Sequence, residues 1–259
     1  MSHDKTINSS EGFFSGGYPL NAIKVEHLSK IYETVIAVDD VSFSSTGGEV
    51  IGIVGPNGAG KTTMIRCMMG LEKPERGSVR YFGHDLFAKP ELAKQHLAFI
   101  PERPNLVPQL TVWEHIKFMA AMYDHDSVEY EARKLLKAFD LEDKWNSLQM
   151  ELSKGQLQKT LIISGFIHKP LIMFFDEPLL GIDPKGGKLL KYMIRQKREE
   201  GGTVIISSHM LDLIEEVSDR VIIMNQGEIV ARGSIQELND MVLGEGSDFE
   251  DVFIKITGG

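Results

Sequence analysis

The alternation of apolar and polar residues divides most of the chain into short strands and amphipathic helices. Between residues 23 and 54, runs such as Ile23-Lys24-Val25-Glu26 predict an antiparallel sheet, which residues 77–83 extend by a further strand. Continuous apolar or β-branched runs are typical instead of parallel strands that are buried on both faces. Runs of this second kind occupy residues 50–54, 171–175 and 203–206.

Helical periodicity marks the stretch between the two groups of strands. Thr111 opens a helix with the spacing of a capping box, and the pattern continues to Tyr123. A second amphipathic helix is predicted over residues 128–139, and a third begins at Ser153 and ends before Pro170. Further along the chain, the pattern predicts a helix over residues 189–198 and a hairpin over residues 221–230. This mixture indicates an α/β fold.

The composition limits the class of protein. The chain has 259 residues and a formal net charge of −9, which argues against a polynucleotide held by overall electrostatic attraction. The single cysteine, Cys67, excludes an internal disulfide framework and suits the reducing cytosol. No apolar run approaches the roughly 18–20 residues that a membrane-spanning helix needs, and the first residues lack the pattern of a signal peptide. We therefore expect a soluble chain.

The most informative segment is Gly55-Pro56-Asn57-Gly58-Ala59-Gly60-Lys61-Thr62-Thr63, which fits the phosphate-binding motif G-x-x-x-x-G-K-[ST]. It lies between a predicted strand and a predicted helix, as this motif requires. The glycines allow backbone N–H groups to surround phosphate oxygens. Lys61 supplies a positive charge for the outer phosphates, and the Thr62 hydroxyl suits Mg²⁺. The segment therefore predicts a site for a nucleoside triphosphate.

A second group of candidate residues follows the predicted parallel strands. Asp176 and Glu177 come directly after the run over residues 171–175, at the edge of a parallel sheet where ligands bind. Asp176 is placed to hold the Mg²⁺ shell, and Glu177 is placed to orient or deprotonate an attacking water. His209 follows the run over residues 203–206 and can reach the terminal phosphate from there. A histidine at such a position serves equally often as a structural hydrogen-bonding group.

Taken together, these segments resemble the nucleotide-binding subunit of ATP-binding cassette (ABC) transporters. The most specific match is Leu152-Ser153-Lys154-Gly155-Gln156, which resembles the family signature Leu-Ser-Gly-Gly-Gln. The other matches, in chain order, are Tyr32 as the aromatic that stacks on adenine, the phosphate loop, Glu102 where the family has a Gln that contacts Mg²⁺, Asp176 with Glu177, the dimer-contacting loop Leu180-Gly181-Ile182-Asp183, and His209 as the phosphate-sensing switch.

The resemblance covers nearly the whole chain after residue 22 and implies its organisation. The expected fold is a P-loop NTPase core with a RecA-like parallel sheet, an antiparallel β subdomain and an inserted α-helical subdomain. The expected domains are a flexible N-terminal tail over residues 1–22, an ABC ATPase domain over residues 23–240 with its helical subdomain at about 104–168, and a short C-terminal extension over residues 241–259.

The resemblance also implies a dimer, in which two cassettes pack head to tail. Ser153, Gly155 and Gln156 of one cassette then contact the ATP that is bound to the other. Without the family, Ser153 is simply a helix N-cap, and the two readings are compatible. Two residues depart from the family pattern: Glu102 adds a negative charge beside the phosphates, and Lys154 adds a cation near those of the partner cassette. Whether the dimer is formed by two copies of this chain or by this chain and a paralogue stays open.

The expected function is an ATPase subunit that uses ATP and Mg²⁺ and drives transport through a separate transmembrane permease. Short matches, including Glu102, Lys154 and residues 110–114, resemble the branch of bacterial drug, antibiotic-peptide and sodium exporters, which implies export. Such a subunit is cytoplasmic, lies on the inner face of the cell membrane through its permease, and has no nucleic-acid partner. The alternative is a soluble ABC ATPase that acts on nucleic acid or ribosomes, although the coiled coils, zinc insertions or second cassette of those relatives are missing from this sequence.

The helix that begins at Thr111 offers a candidate surface for the permease. One stripe of this helix is formed by Trp113, Ile116, Ala120 and Tyr123. Phe118 and Met122 point elsewhere, so the helix has more apolar surface than one core needs. The surplus is a candidate docking site for a short helix of the permease. The alternative, that all of these residues pack inside the domain, is left open at this point.

Overall fold

The computed structural model of the protein describes residues 21–242 and 248–258, so the predicted N-terminal tail lies almost entirely outside the described residues. The strands are β1 (Ile23–Tyr32), β2 (Val35–Ser45), β3 (Val50–Val54), β4 (Arg76–Tyr81), β5 (His84–Asp85), β6 (Leu97–Ile100), β7 (Ile172–Asp176), β8 (Thr203–Ser207), β9 (Arg220–Asn225) and β10 (Glu228–Gly233). The helices are α1 (Lys61–Met68), α2 (Pro90–Lys94), α3 (Val112–Ala121), α4 (Glu129–Ala138), α5 (Lys154–Ile167), α6 (Pro184–Glu199), α7 (Leu211–Val217), α8 (Ile235–Val242) and α9 (Phe249–Thr257).

The strands form two sheets, as the sequence predicts. The antiparallel sheet has the order β2-β1-β4-β5, and β4 is the strand that the pattern over residues 77–83 indicates. The larger sheet has the order β10-β9-β3-β8-β7-β6. Its strands pair in parallel except for the β9–β10 hairpin, which confirms the hairpin predicted over residues 221–230.

The parallel sheet is the middle layer of the molecule, and its side chains alternate between two apolar cores. Every residue of β3, β7 and β8 is buried. On β7, Met173 and Phe175 belong to the core that α3 to α7 cover, whereas Ile172 and Phe174 belong to the core beneath α1 and the antiparallel sheet. Burial on both faces explains why these strands are continuous apolar runs in the sequence.

Helices α3, α5 and α6 begin at side-chain caps that the chain encodes locally. Thr111 and Ser153 cap α3 and α5 with complete capping boxes, in agreement with the predicted helix starts. Helix α6 begins at Pro184, well before the predicted start at residue 189. The Asp183 carboxylate accepts a hydrogen bond from the Gly186 N–H at 2.8 Å, and proline is favoured at the first position of a helix. The apolar pattern alone misses this polar first turn.

Several short elements were not predicted. Strand β6 has four residues and α2 has five, so neither provides enough positions for a period to be visible. Helix α9 was also missed, although Phe249 and Val252 are fully buried in the core on the side of α7. Residues 243–247 and 259 of the predicted C-terminal extension lie outside the described residues.

The apolar residues of α3 are divided between the core and the surface. Ile116 and Ala120 are fully buried, and the Trp113 ring stacks on Trp145 with a centroid distance of 4.5 Å. Phe118 and Met122 are 46% and 64% exposed. The alternative that all these residues pack inside the domain is therefore wrong for the last two.

No helix in the described ranges combines the length and the apolar character that a membrane span requires.

Phe174 connects the two sheets and allows a test of this packing. Its ring meets the Tyr81 ring of the antiparallel sheet edge to face, with centroids 6.1 Å apart. We expect Phe174→Ala to lower the free energy of unfolding by about 3–5 kcal/mol, because it leaves a cavity between the sheets. Urea unfolding measures this loss. Phe174→Leu, which keeps most of the volume, is the matched control, and equal losses for the two variants would contradict the expectation.

Candidate active site

Three adjacent parallel strands bring the predicted site residues to one edge of the sheet. Strands β3, β8 and β7 are neighbours, so their C-terminal ends converge. Strand β3 leads into residues 55–60 and helix α1, and β8 leads into Ser208 and His209. Strand β7 ends at Asp176, which Glu177 follows. The sheet topology thus places side chains from distant parts of the sequence beside one another.

The loop before α1 has the conformation of a phosphate cradle. Gly58 and Gly60 have φ angles of +81° and +100°, in the left-handed region that favours glycine. A Cβ on Gly60 would lie 2.2 Å from the Ala37 carbonyl oxygen, so no other residue fits there without a shift of the backbone. No side chain caps the N-terminus of α1, which leaves its first N–H groups directed at the loop.

Lys61 is held within this loop. Its Nζ donates hydrogen bonds to the Gly55 carbonyl at 2.6 Å and to the Pro56 carbonyl at 3.1 Å. Burial lowers the pKa of Lys61, and the nearby carboxylates of Glu177 and Asp176 act in the opposite direction. A negatively charged ligand would favour the protonated ammonium further.

Asp176 and Thr62 bring two oxygen ligands together. Asp176 is 3% exposed, and its Oδ1 accepts a hydrogen bond from the Thr62 hydroxyl at 3.2 Å. The Ser207 hydroxyl also donates to this oxygen. A hydroxyl and a carboxylate next to a phosphate loop are the ligands that Mg²⁺ prefers, and the pair therefore fits this ion.

Glu177 is fixed by the residues that follow β8. Its Oε2 accepts a hydrogen bond from the Ser208 hydroxyl at 3.1 Å, and its Oε1 accepts one from the His209 N–H at 2.9 Å. The His209 Nδ1 lies 2.9 Å from Oε2, and because a carboxylate only accepts, Nδ1 carries the proton of this contact. Glu177 also has a φ of +49°, which is unusual for a residue with a side chain. Both oxygens of the carboxylate thus have defined directions.

These groups surround one cavity of about 400 Å³. Its lining comprises Val35, Ile36, Ala37, Asn57, Gly58, Ala59, Gly60, Lys61, Thr62, Thr63, Glu102, Asp176, Glu177, Leu180 and His209. The structure thus brings most of the predicted phosphate loop together with Asp176 at the end of β7, Glu177 directly after it, Glu102 and His209. Glu102 follows β6, and the preceding Pro101 carbonyl accepts a hydrogen bond from Gln158 Nε2 of α5 at 3.4 Å.

Other predicted residues lie outside the cavity lining. Gly55 and Pro56 contribute through the carbonyls that hold Lys61. Tyr32 is paired with Val35 across the β1–β2 hairpin, one strand away from the lining, and is 39% exposed. The Lys30 Nζ lies 5.0 Å from the centroid of its ring. An exposed aromatic ring beside this mouth has the chemistry to stack on a base.

Ser153, Gly155 and Gln156 lie at the start of α5, also outside the cavity of their own chain. The Ser153 hydroxyl accepts from the Gln156 N–H, and the Gln156 side-chain oxygen accepts from the Ser153 N–H at 2.8 Å. A Cβ on Gly155 would lie 2.3 Å from the Gly181 carbonyl oxygen, so α5 packs directly on the loop that follows Glu177. The structure therefore shows that Ser153 is the N-cap of α5 and that this residue is exposed to solvent.

Lys159 also connects helix α5 with the loop that follows Glu177. Its buried Nζ donates to Asp183 Oδ2 at 2.9 Å and to the Phe139 carbonyl at 3.2 Å. Hydrogen bonds from Lys159 and from the Gly186 N–H hold the pKa of Asp183 below its usual value. Helix α5 and the loop from Glu177 to Asp183 therefore form one connected unit.

Sequence reasoning missed several residues that shape this site. Ser207 and Ser208 hold the two carboxylates, and the signal available was a pair of hydroxyl residues directly after a buried strand. Residues 35–37 line the cavity, but their apolar run is typical of any strand. Lys159 carried no visible signal, because its partner Asp183 is far away in the sequence.

Gly60 and Gly58 provide a matched pair for testing the loop. We expect Gly60→Ala to lower the free energy of unfolding by more than the roughly 1–2 kcal/mol that a left-handed residue costs, because its Cβ also meets the Ala37 carbonyl. A Cβ on Gly58 has nothing within 4 Å, so Gly58→Ala bears only the backbone cost. Urea unfolding without nucleotide compares the two variants, and a loss for Gly58→Ala as large as that for Gly60→Ala would contradict this account.

Comparison with known proteins places this site in a family. Residues 38–180, more than half of the chain, match the family model described as ABC transporter. The chain is 35% identical over 216 residues to the SkfA peptide export ATP-binding protein SkfE of Bacillus subtilis (strain 168), a match that covers 82% of this chain and 88% of that protein.

Comparison with solved structures indicates the same family and the same fold. One described as the ATP binding subunit of an ABC transporter superposes with a TM-score of 0.86 at 32% identity and covers 91% of this chain and 99% of its own. Another, described as the dimeric structure of MJ0796, a bacterial ABC transporter cassette, has a TM-score of 0.75 at 25% identity and covers 82% of this chain and 98% of its own. The predicted family and fold are thereby confirmed: the chain belongs to the ABC transporter family, as an ATP-binding subunit with the cassette fold and the ATPase activity of that family.

Proposed function

We propose that this chain is the ATP-hydrolysing subunit of an ABC exporter and that Glu177 is its catalytic base. The observation that carries the proposal is the position of the Glu177 carboxylate, which Ser208 and His209 hold at the cavity lined by the phosphate loop. The subunit then acts in the cytoplasm, on the inner face of the cell membrane, through a separate permease. Export is the finer part of the proposal and is supported by relatives such as the peptide export protein SkfE.

In the proposed reaction, Glu177 accepts a proton from the water that attacks the terminal phosphate of ATP. The hydrogen bonds from Ser208 and the His209 N–H fix the direction of the carboxylate before the reaction begins, so little reorganisation is needed. Lys61 and the N–H groups at the start of α1 stabilise the phosphate charge that develops. His209 has a positioning role through its contact with Glu177.

Mg²⁺ fits the oxygen ligands beside the loop. Thr62 and Asp176 would hold it, together with Glu102, which lines the same cavity. When bound, the ion neutralises phosphate charge and helps to align the phosphates. The buried and hydrogen-bonded state of Asp176 keeps one oxygen next to the Thr62 hydroxyl, which favours a defined ion position.

The proposed active form is a head-to-tail dimer of two cassettes. Support comes from Ser153, Gly155 and Gln156, which lie outside the cavity of their own chain at an exposed helix start. A hydroxyl and backbone N–H groups at a helix N-terminus suit the phosphate of a nucleotide bound by the partner. Tyr32 is proposed to stack on the adenine ring.

The proposed permease contact is the exposed apolar side of α3. Phe118 and Met122 are four residues apart and therefore lie on one side of the helix, where both are exposed. An amphipathic helix of a membrane protein buries its apolar side on such a surface.

The role of Glu177 is tested by Glu177→Gln. We expect ATP turnover to fall by ~10²–10⁴-fold, the usual contribution of a general base, while ATP binding is retained. Steady-state hydrolysis and equilibrium binding of a fluorescent ATP analogue measure the two properties. Lys61→Met is the contrasting control, since it removes the charge that faces the phosphates and is expected to weaken binding itself. Turnover of Glu177→Gln close to that of the wild type would overturn the assignment.

The permease contact is tested by capture from solubilised native membranes with ATP-loaded Glu177→Gln protein as bait. We expect mass spectrometry to find a membrane protein with several spans in stoichiometric amount. Adding Phe118→Ser and Met122→Ser to the bait is expected to reduce this capture while ATP binding is retained. Recovery of ribosomes or nucleic acid instead would favour the alternative, a soluble ABC ATPase. Unchanged capture by the double variant would remove the proposed contact from α3.

A further inference from the structure

The negative charge of the candidate active site is not balanced within one copy of the chain. Glu102, Asp176 and Glu177 line the cavity together with a single lysine, Lys61. Asp176 and Glu177 accept hydrogen bonds from neighbouring side chains. In the part of the chain that the structure describes, the Glu102 carboxylate has no hydrogen bond or ion pair. A bound nucleoside triphosphate adds negative charge beside it, which one Mg²⁺ ion neutralises only in part.

Lys154 is an unbalanced positive charge on the same chain. It is the exposed first residue of α5, and the first turn of this helix contains no acidic residue. Its aliphatic stem rests near Gly181, 3.8 Å from the position that a Cβ would occupy there. Among the described residues it has no ion-pair partner. A cation in the first turn of a helix is disfavoured by the helix dipole, so the stability of a single copy does not explain this residue.

We infer that the second cassette is another copy of this chain and that Lys154 of one copy balances Glu102 of the other in the ATP-bound dimer. This inference rests on the proposed head-to-tail arrangement, which brings the start of α5 to the cavity of the partner. The two charges are opposite in sign, and neither is neutralised by a described side chain of its own copy. Paired across the interface, Lys154 places a second side-chain cation beside Glu102, in addition to the Mg²⁺ ion that the proposed function assigns to this cavity.

Symmetry explains why one chain carries both charges. In a two-fold dimer every contact occurs twice, since residue i meets residue j and residue j meets residue i. A copy that provides Lys154 to its partner therefore receives the partner's Lys154 at its own Glu102. A different cassette would need a matching pair of its own to balance both sites. Electrostatic complementarity therefore favours a second copy over a cassette that lacks this pair.

The first test is a double-mutant cycle on the full-length Glu177→Gln protein with ATP bound. Lys154→Met is expected to raise the dimer dissociation constant about tenfold while Glu102 is present, and to change it far less in the Glu102→Gln background. Glu102→Gln keeps the shape of the side chain and removes its charge, and Lys154→Met removes the ammonium group while it keeps most of the aliphatic stem. Analytical ultracentrifugation measures the dissociation constants.

Two variants control for effects other than the proposed pair. Lys154→Arg keeps the charge and is expected to keep the dimer as tight as the parent protein. Lys188→Met removes the same charge from an exposed position of α6 and is expected to change nothing. Thermal melts of the monomers check that each variant folds. An equal effect of Lys154→Met in both backgrounds overturns the inference, as does an equal effect of Lys188→Met.

A crosslink tests directly whether the two positions meet across copies. A tagged Lys154→Cys copy is mixed with an untagged Glu102→Cys copy and treated with a short bismaleimide in the presence of ATP; the native Cys67 is buried. We expect a covalent dimer with one tagged and one untagged chain, and none when Lys188→Cys replaces Lys154→Cys. If the sample dimerises but this product is absent, the inference is overturned and the proposed function is not. If the wild-type chain neither dimerises nor hydrolyses ATP, the proposed function is overturned. If it dimerises only with a different cassette, the inference that the second cassette is another copy of this chain is overturned.

Discussion

The burial of the parallel sheet on both faces is the constraint on which the rest of the molecule depends. Strands β3, β7 and β8 have no exposed residue, so polar chemistry is excluded from their length and is confined to their ends. Because these strands are adjacent and parallel, their C-terminal ends meet at one edge. The phosphate loop, the carboxylates after β7 and the residues after β8 are neighbours for this reason. One packing requirement therefore fixes both the core and the location of the site.

The same edge concentrates negative charge, and the fold provides hydrogen bonds for two of its carboxylates. Asp176 is buried and receives hydroxyl hydrogen bonds from Thr62 and Ser207. Glu177 receives hydrogen bonds from Ser208 and His209 and adopts a left-handed backbone conformation. Such a conformation has a cost, which the surrounding hydrogen bonds offset. The result is a carboxylate with a fixed direction rather than one that moves freely in solvent, and this orientation is the property that a general base requires.

The parts of the fold that sequence predicted are those with a strong local signal. Continuous apolar runs identified the buried strands, and the phosphate loop and the helix caps at Thr111 and Ser153 were visible as short motifs. Strand β6 and helix α2 were too short to show a period, and the polar first turn of α6 concealed its start. The site was predictable to the extent that its residues belong to such motifs. Contacts between distant residues, such as Lys159 with Asp183, have no local signal and required the structure.

Helix α5 links the proposed partner surface with the cavity of its own chain. At one contact, Gly155 approaches the Gly181 carbonyl so closely that no side chain fits between them. At a second, Lys159 holds Asp183 at the far end of the loop that begins at Glu177. At a third, Gln158 binds the carbonyl of Pro101, directly before Glu102. Because a packed helix moves as a rigid element, a displacement of its N-terminus is transmitted to both loops at once. Whatever binds the start of α5 thereby acts on the position of two carboxylates in the cavity behind it.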